Sequence, residues 1–346
     1  MHQINTALCS YGMSGVVFHG PLLEAHSGYK ISKILERTRN ESEGKHPGSE
    51  IVRDYEAILE DPDIELVVVN TPDHLHSEMC AKAIEAGKHV VVEKPFTLKA
   101  ADADTLIGLA REKGTILSVF HNRRWDGGFM TVKEVIETGK LGRLVDFESH
   151  FDRFRNYVKE SWKDQSNGTG TLYNLGSHLV DQTLTLFGMP ERLFCDSRML
   201  RDGAKTDDSY DLFMHYPEFK CQLRSSYLVK EPGPRFILHG TEGSFLMRGQ
   251  DRQEADLKAG ISPNSANWGE EPESSWGKIN TTFQGEELLG TIKTIPGNYL
   301  AYYDNIYEAI RNNQPLQVTA EQARDVIRII EAAYESSRKG RVVNLQ

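Results

Sequence analysis

The chain is 346 residues long and carries 50 acidic side chains against 40 basic ones, a formal net charge of -10. That length exceeds what one hydrophobic core usually supports, so two domains are expected. The acidic balance argues against a nucleic-acid or anionic-membrane partner. No stretch approaches the roughly 20 apolar residues of a membrane span, and the N-terminal MHQINTALCS lacks the charged head and long apolar region of a secretory signal. Cys9, Cys80, Cys195 and Cys221 lie too far apart for a CxxC pair or a disulfide framework, so a reducing cytoplasm with the cysteines as small core residues is expected.

Ile4 to Cys9 reads as a strand and runs into Ser10-Tyr11-Gly12-Met13-Ser14-Gly15, ahead of a helix beginning near Val16. This is the G-x-G-x-x-G dinucleotide fingerprint with serine at its first glycine. Small residues are needed because the backbone must approach a pyrophosphate whose charge rests on free N–H groups at the helix start. Gly12 and Gly15 keep the two positions that depend most on lacking a side chain, while Ser10 must make the turn at negative φ. A second strand, Ile31 to Leu35, ends in Glu36, where an acidic side chain can bond an adenosine ribose and favours NAD. Arg37 and Arg39 pull toward NADP, since an arginine there can hold a 2′-phosphate. NAD or NADP is therefore the expected cofactor, with NAD slightly favoured.

The alternation continues through a short helix at Asp54 to Leu59, a strand at Glu65 to Asn70, a helix at Ser77 to Ala86 and a strand His89 to Val92. A helix at Ala101 to Lys113 and a strand at Ile116 to Phe120 follow. Strands separated by helices of this length predict right-handed βαβ crossovers and a doubly wound parallel sheet, an α/β Rossmann domain. Three consecutive valines suit a strand buried on both faces, and Glu93-Lys94-Pro95 follows at once. Charge at the carboxyl end of a buried strand is costly without a task, and ligands bind at that edge of open α/β sheets. Gly12, Glu36, Asn70 and Lys94 all fall on it.

After Phe120 the pattern changes to a polar and aromatic knot, His121-Asn122-Arg123-Arg124-Trp125-Asp126. The expected division is a dinucleotide-binding domain over 1–121 and a substrate-binding and oligomerisation domain over 122–346. A helix at Phe129 to Thr138 precedes largely consecutive strands: Arg143 to Phe154, Arg192 to Leu200, Asp211 to His215, Lys220 to Leu228, Arg235 to His239 and Ser244 to Met247. That run predicts an α+β domain with an open, mainly antiparallel sheet. Asp251 to Gly290 reads as the longest irregular stretch, a lid or binding loop. The final helices are expected from Asn298 to about Ile310 and from Ala320 to Arg338. In Gly168 to Asp181, a helix from Thr171 sets Asn174 and His178 one turn apart on one face. A histidine there can take a hydroxyl proton near neutral pH, although a lone helix histidine is otherwise a hydrogen-bonded core residue.

The Ser10 to Gly15 loop followed by Phe18-His19-x-Pro21, then NTPDHLH at Asn70 to His76, then EKP at Glu93 to Pro95, resembles the Gfo/Idh/MocA family of glucose–fructose oxidoreductases and inositol dehydrogenases. The resemblance spans the whole chain and is nearest the branch containing scyllo-inositol dehydrogenases. It implies a nicotinamide-dependent oxidoreductase acting on a sugar or cyclitol, with Lys94 in the catalytic site and a cis Lys94–Pro95 bond. It also implies His178 and the position of Asn174 at the active site, and a homo-oligomer, dimer or tetramer. The cofactor set so implied adds Met13, Ser14, Thr71, Pro72, His76 and Glu93. Family members commonly carry aspartate at Asn174 and glycine at Thr169 and Thr171; an asparagine cannot take a proton. His178 is then the expected proton acceptor and Lys94 the residue that orients or polarises the substrate oxygen, with the exchange of the two roles as the alternative, since burial and a bound cationic nicotinamide would both lower the lysine's pKa. Asn122, Arg123, Trp125, Tyr157 and Trp162 are candidates to finish a sugar pocket, since aromatic faces stack on sugar rings and arginine holds hydroxyls. No Cys/His cluster at metal spacing is present, and no metal is expected. Alternatives are a sugar-processing enzyme that retains its cofactor without net redox change, and a non-catalytic sugar or cofactor sensor.

Overall fold

The computed structural model describes residues 3–158 and 169–345, so the expectation for Trp162 lies outside the described residues. The chain divides into two compact units. The first comprises Met1–Trp125, Arg252–Gly269 and Asn298–Ile327; the second comprises Asp126–Asp251, Glu270–Gly297 and Arg328–Gln346. The chain thus leaves the first unit at Trp125 and returns to it twice, which local periodicity could not announce.

In chain order the first unit contains β1 (Ile4–Leu8), a π-helical turn (Gly15–His19) continuing into α1 (Gly20–Ala25), β2 (Tyr29–Leu35), β3 (Glu50–Val52) and α2 (Glu56–Leu59). Then come β4 (Leu66–Val69), α3 (His76–Glu85), β5 (His89–Val92), α4 (Ala100–Lys113) and β6 (Leu117–Val119). The six strands are ordered β3-β2-β1-β4-β5-β6 and every pairing is parallel. The order reverses between β1 and β4, the switch point where open α/β sheets bind ligands. Leu66 to Val69 and Val90 to Val92 are all fully buried, as continuous apolar runs in a parallel sheet should be. Strand β3 was not expected: three residues give too little alternation to read.

The second unit opens with α5 (Gly127–Glu137) and β7 (Leu144–His150). A π-helical turn (Leu172–Gly176) runs into α6 (Ser177–Phe187), followed by β8 (Arg192–Arg198), β9 (Ser209–His215), β10 (Lys220–Ser226), β11 (Phe236–Gly240) and β12 (Gly243–Met247). The segment read as irregular is largely ordered: it holds α7 (Gln253–Lys258), which belongs to the first unit, and the hairpin β13 (Gly277–Phe283) and β14 (Glu286–Ile292). The hairpin turns at Gln284 and Gly285, both at positive φ, the conformation that matches strand twist in a two-residue turn. Its signal was hidden because β14 is exposed along almost its whole length and shows no apolar face. Helices α8 (Leu300–Asn312) and α9 (Ala320–Lys339) and the short β15 (Val343–Asn344) complete the chain.

The nine strands of the second sheet run β14-β13-β12-β11-β7-β10-β9-β8-β15. All pairings are antiparallel except β10 with β7. Phe147, Leu212, Leu223, Leu238 and Phe245 are fully buried on its inner face, together with Leu179 and Val180 of α6. All four cysteines are buried and none is in a disulfide. Among the described residues no helix is long and apolar enough to cross a membrane.

Candidate active site

The carboxyl edge of the parallel sheet is built from three strand ends. At the first, the Gly12 N–H donates to Ser10 Oγ at 3.1 Å and the Val16 N–H to the Gly12 carbonyl at 2.9 Å, which turns the chain into the helix. Ser10 is not among the residues at positive φ, so serine replaces the usual glycine without strain. A Cβ on Gly15 would lie 2.6 Å from the Ser10 carbonyl oxygen, whereas one on Gly12 would meet only Ser10 Oγ at 3.4 Å. Gly15 is thus needed for helix against strand, and Gly12 leaves open room beside exposed Met13. At the second strand end Asn70 Nδ2 donates to the Ser10 carbonyl at 2.8 Å, and Ser14 Oγ donates to the Asn70 carbonyl at 3.4 Å. Asn70 Oδ1 and Thr71 Oγ1 are buried with no hydrogen-bond partner among the described residues. Buried polar atoms normally find partners, so two orphans beside an open glycine fit a polar ligand such as a dinucleotide.

At the third strand end Lys94–Pro95 is cis, as the resemblance implied. The Lys94 N–H donates to Glu93 Oε2 at 3.0 Å. The His76 ring bonds the Pro95 carbonyl at 2.8 Å and the Thr71 carbonyl at 3.0 Å, and so ties the second strand end to the third. Burial opposes the Glu93 charge, yet the His19 hydrogen bond, with His19, Lys94 and His76 nearby, holds its carboxyl below the ordinary value.

Glu36, at the end of β2, is 6% exposed and faces its own loop. Oε2 accepts the Glu41 N–H at 2.8 Å, and Oε1 accepts the Ser42 N–H at 2.9 Å and the Ser42 hydroxyl. Burial works against its charge, but these bonds and Arg53 lower its pKa below the usual value. Arg37 and Arg39 beside it are exposed. His46 secures the far end of the same loop, bonding Tyr11 Oη at 2.7 Å and Glu24 at 2.5 Å.

In the second unit the π-helical turn carries Asn174, and α6 carries His178, which is 6% exposed. A π turn at a functional segment is a recurrent device for re-aiming side chains. Asn174 Nδ2 lies 3.5 Å from Tyr227 Oη, and the His178 ring stacks on Phe151 with centroids 6.2 Å apart. The guanidinium groups of Arg155 and Arg201 sit over the Tyr227 ring at 4.4 and 4.7 Å. Asp207 caps the helix start: its carboxylate accepts the Leu172 N–H at 2.8 Å and the Tyr334 hydroxyl. Burial raises the Asp207 pKa against those bonds.

The expected sugar-pocket residues have the following surroundings. Arg123 is buried and ion-paired with Glu254 at 2.5 Å, and Trp125 packs edge-on against Tyr302, both within the first unit. Asn122 is 4% exposed, while Tyr157 is 59% exposed and offers its carbonyl to Arg201 at 2.7 Å. Lys94 belongs to the first unit, and Asn174 and His178 to the second. Tyr227, Phe151 and Asp207 were not anticipated: each meets the helix from a distant strand or loop, and none carries a motif.

A parallel sheet with this edge is that of a dinucleotide-binding Rossmann domain, here followed by a mixed, mostly antiparallel one. Residues 4–121 match the family described as "Oxidoreductase family, NAD-binding Rossmann fold", and residues 133–345 match "Oxidoreductase family, C-terminal alpha/beta domain". The chain is 43% identical over 344 residues to the scyllo-inositol 2-dehydrogenase (NADP(+)) IolW of Bacillus subtilis, covering 99% of this chain and 96% of the relative. It is 38% identical over 338 residues to the Escherichia coli oxidoreductase YdgJ, 97% of each. Among solved structures, an oxidoreductase from Bacteroides fragilis superposes with a TM-score of 0.92 at 46% identity, over 99% of this chain and 100% of that one. The Bacillus subtilis oxidoreductase yvaA gives a TM-score of 0.95 at 43% identity, over 99% of each chain. This chain belongs to the Gfo/Idh/MocA oxidoreductase family.

Proposed function

We propose that this protein is an NADP-dependent dehydrogenase that interconverts a ring hydroxyl and a ketone on a sugar or cyclitol. The observation that carries the cofactor half of the reading is the strand edge itself, where Gly12 is open and Asn70 Oδ1 and Thr71 Oγ1 are buried without partners among the described residues. Ser10, Gly12, Met13, Ser14 and Gly15 would hold the pyrophosphate, and Asn70, Thr71, Pro72, His76 and Glu93 the nicotinamide half. When bound, the nicotinamide supplies hydride acceptance or donation. The preference for NADP rests on Glu36, whose carboxylate is engaged by Glu41 and Ser42 and would have to give up those bonds to reach a ribose. Exposed Arg37 and Arg39 are suited to a 2′-phosphate, and the relative IolW is itself named for NADP(+). On this reading the arginines outweigh the slight leaning to NAD that Glu36 gives on sequence alone.

For the chemistry, His178 is assigned as the group that takes the hydroxyl proton in alcohol oxidation, and Lys94 as the cation that orients and polarises the substrate oxygen. Asn174 holds a substrate hydroxyl by hydrogen bonding but moves no proton. Retained, unpaired cysteines support a cytoplasmic setting, and the exposed edge strand β14 supports a homo-oligomer.

The test is formation of reduced nicotinamide from NADP or NAD across inositols and aldoses. Turnover with at least one polyol, faster with NADP, is expected. No reduced cofactor with any polyol and no reduction of the matching ketones overturns the reading. Asn174 favours a second reading, a sugar or cofactor sensor. Lys94→Ala discriminates: turnover lost with cofactor binding kept marks an enzyme, and an unchanged biological output marks the sensor.

A further inference from the structure

We propose that His19 is a positioning residue for the Glu93–Lys94 strand end, holding the Glu93 carboxylate in one orientation through a hydrogen-bonded chain anchored on Tyr303. This rests on the reading of Lys94 as part of a dehydrogenase site. His19 is the last residue of the first π-helical turn and is fully buried. Its Nε2 lies 3.1 Å from Glu93 Oε1, and its Nδ1 lies 2.7 Å from the hydroxyl of Tyr303, also fully buried on α8. Glu93 Oε2 already accepts the Lys94 N–H.

With Glu93 ionised, the donors fall into a single consistent order. Tyr303 O–H donates to His19 Nδ1, His19 Nε2–H donates to Glu93 Oε1, and Lys94 N–H donates to Glu93 Oε2. Glu93, which can only accept, therefore requires the proton on His19 Nε2, and Nδ1 is left to accept from Tyr303. The Tyr303 carbonyl in turn accepts the Tyr29 hydroxyl at 2.8 Å, and the His19 ring packs against Phe120 with centroids 4.4 Å apart.

A part-buried carboxylate paired with a histidine contributes weakly to stability, because desolvation offsets much of the attraction. It does fix orientation, since each member has its partners specified. Here the oriented group lies at the ligand edge and grips the backbone of the residue assigned to chemistry. The loop before Gly15 borders the open strand edge, and His19, four residues after Gly15, bonds Glu93 at the lysine strand end.

The charged and titratable groups facing Glu93 are His19 from the π turn, Lys94 from its own strand end, His76 from α3, and Tyr302 and Tyr303 from α8. Of these, the His19 side chain is hydrogen-bonded to Glu93 Oε1, opposite the Lys94 backbone N–H on Oε2, and its loss should raise the pH at which that carboxylate takes a proton.

The test compares His19→Leu, His19→Gln and Glu93→Gln in the full chain. The readouts are the pH dependence of NADPH affinity, followed by nicotinamide fluorescence, and of kcat/KM. His19→Leu should move the acid limb of both profiles upward by about one to two pH units, the equivalent of one hydrogen bond to a charged group. His19→Gln, whose amide can donate to Glu93 and accept from Tyr303, should restore most of the wild-type profile. In Glu93→Gln the limb should be absent, and adding His19→Leu should shift nothing further. Coincident acid limbs in wild type and His19→Leu overturn the proposal, as does a His19→Gln variant no better than His19→Leu. Should His19→Leu not fold, Tyr303→Phe serves in its place: a smaller shift in the same direction supports the chain, and an unmoved limb overturns it. If the wild type oxidises no polyol, the dehydrogenase reading fails, while the NADPH titration still decides the role of His19.

Discussion

Adding one methyl group at Gly15 and at Gly12 should have opposite signatures. At Gly15 the new Cβ would lie 2.6 Å from the Ser10 carbonyl oxygen and 3.1 Å from Asn70 Nδ2, inside the 2.8 Å bond that joins them. Backbone has to give way, and overpacking of this kind costs about 1–3 kcal/mol. Weakening the Asn70 bond adds about 1 kcal/mol, and helix propensity returns up to about 1 kcal/mol on replacing glycine by alanine. The net expectation is a loss of about 1–3 kcal/mol, seen as a melting temperature roughly 3–10 °C lower for a domain of this size. At Gly12 the new Cβ meets only Ser10 Oγ at 3.4 Å, an ordinary contact, so stability should change by no more than about 0.5 kcal/mol. Yet that methyl occupies the space a phosphate needs, and NADPH affinity should fall by at least about ten-fold. Thermal unfolding followed by circular dichroism and a nicotinamide fluorescence titration give both quantities. A Gly15→Ala variant as stable as wild type, or a Gly12→Ala variant binding NADPH as tightly, would refute the assignment of the two glycines.

Glu36→Ala should lower stability by about 1–3 kcal/mol and weaken NADPH and NADH alike, because it releases the Glu41–Ser42 loop; selective loss of NADH binding would instead mark Glu36 as a ribose ligand. The lowered Glu36 pKa adds stability above the unfolded value near pH 4.3 that is lost as pH falls through the lower folded value. Glu36→Gln should therefore flatten that acid-side decline in a pH series of melting curves. His178→Asn should reduce kcat by about 10²–10⁴-fold while leaving the NADPH dissociation constant unchanged, and an equal loss of binding would contradict its assignment as proton acceptor. Gly170→Ala should cost about 1–3 kcal/mol in urea denaturation, since Gly170 sits at φ +65° with its would-be Cβ 2.0 Å from Asp207 Oδ1; an unmoved midpoint would show that the Asp207 cap is soft.

What the amino-acid order determined by itself is what depends on neighbours along the chain. The three valines before Glu93 and the run from Leu66 to Val69 declare buried strands, and their helical spacers force parallel pairing, so Gly12, Asn70 and Lys94 had to share an edge. Strand β14 escaped because it buries neither face, and periodicity reports only burial.

Tertiary structure decided which partner each polar side chain takes. Glu36 looks the same on paper whether it awaits a ribose or caps Ser42; only the folded loop turns its carboxylate inward. His19 finds Glu93 across 74 residues and Tyr303 across 284, and Asn174 meets Tyr227 across 53. Such pairings follow from how layers pack, because a hydrogen bond is won or lost over a few tenths of an ångström that no local pattern encodes.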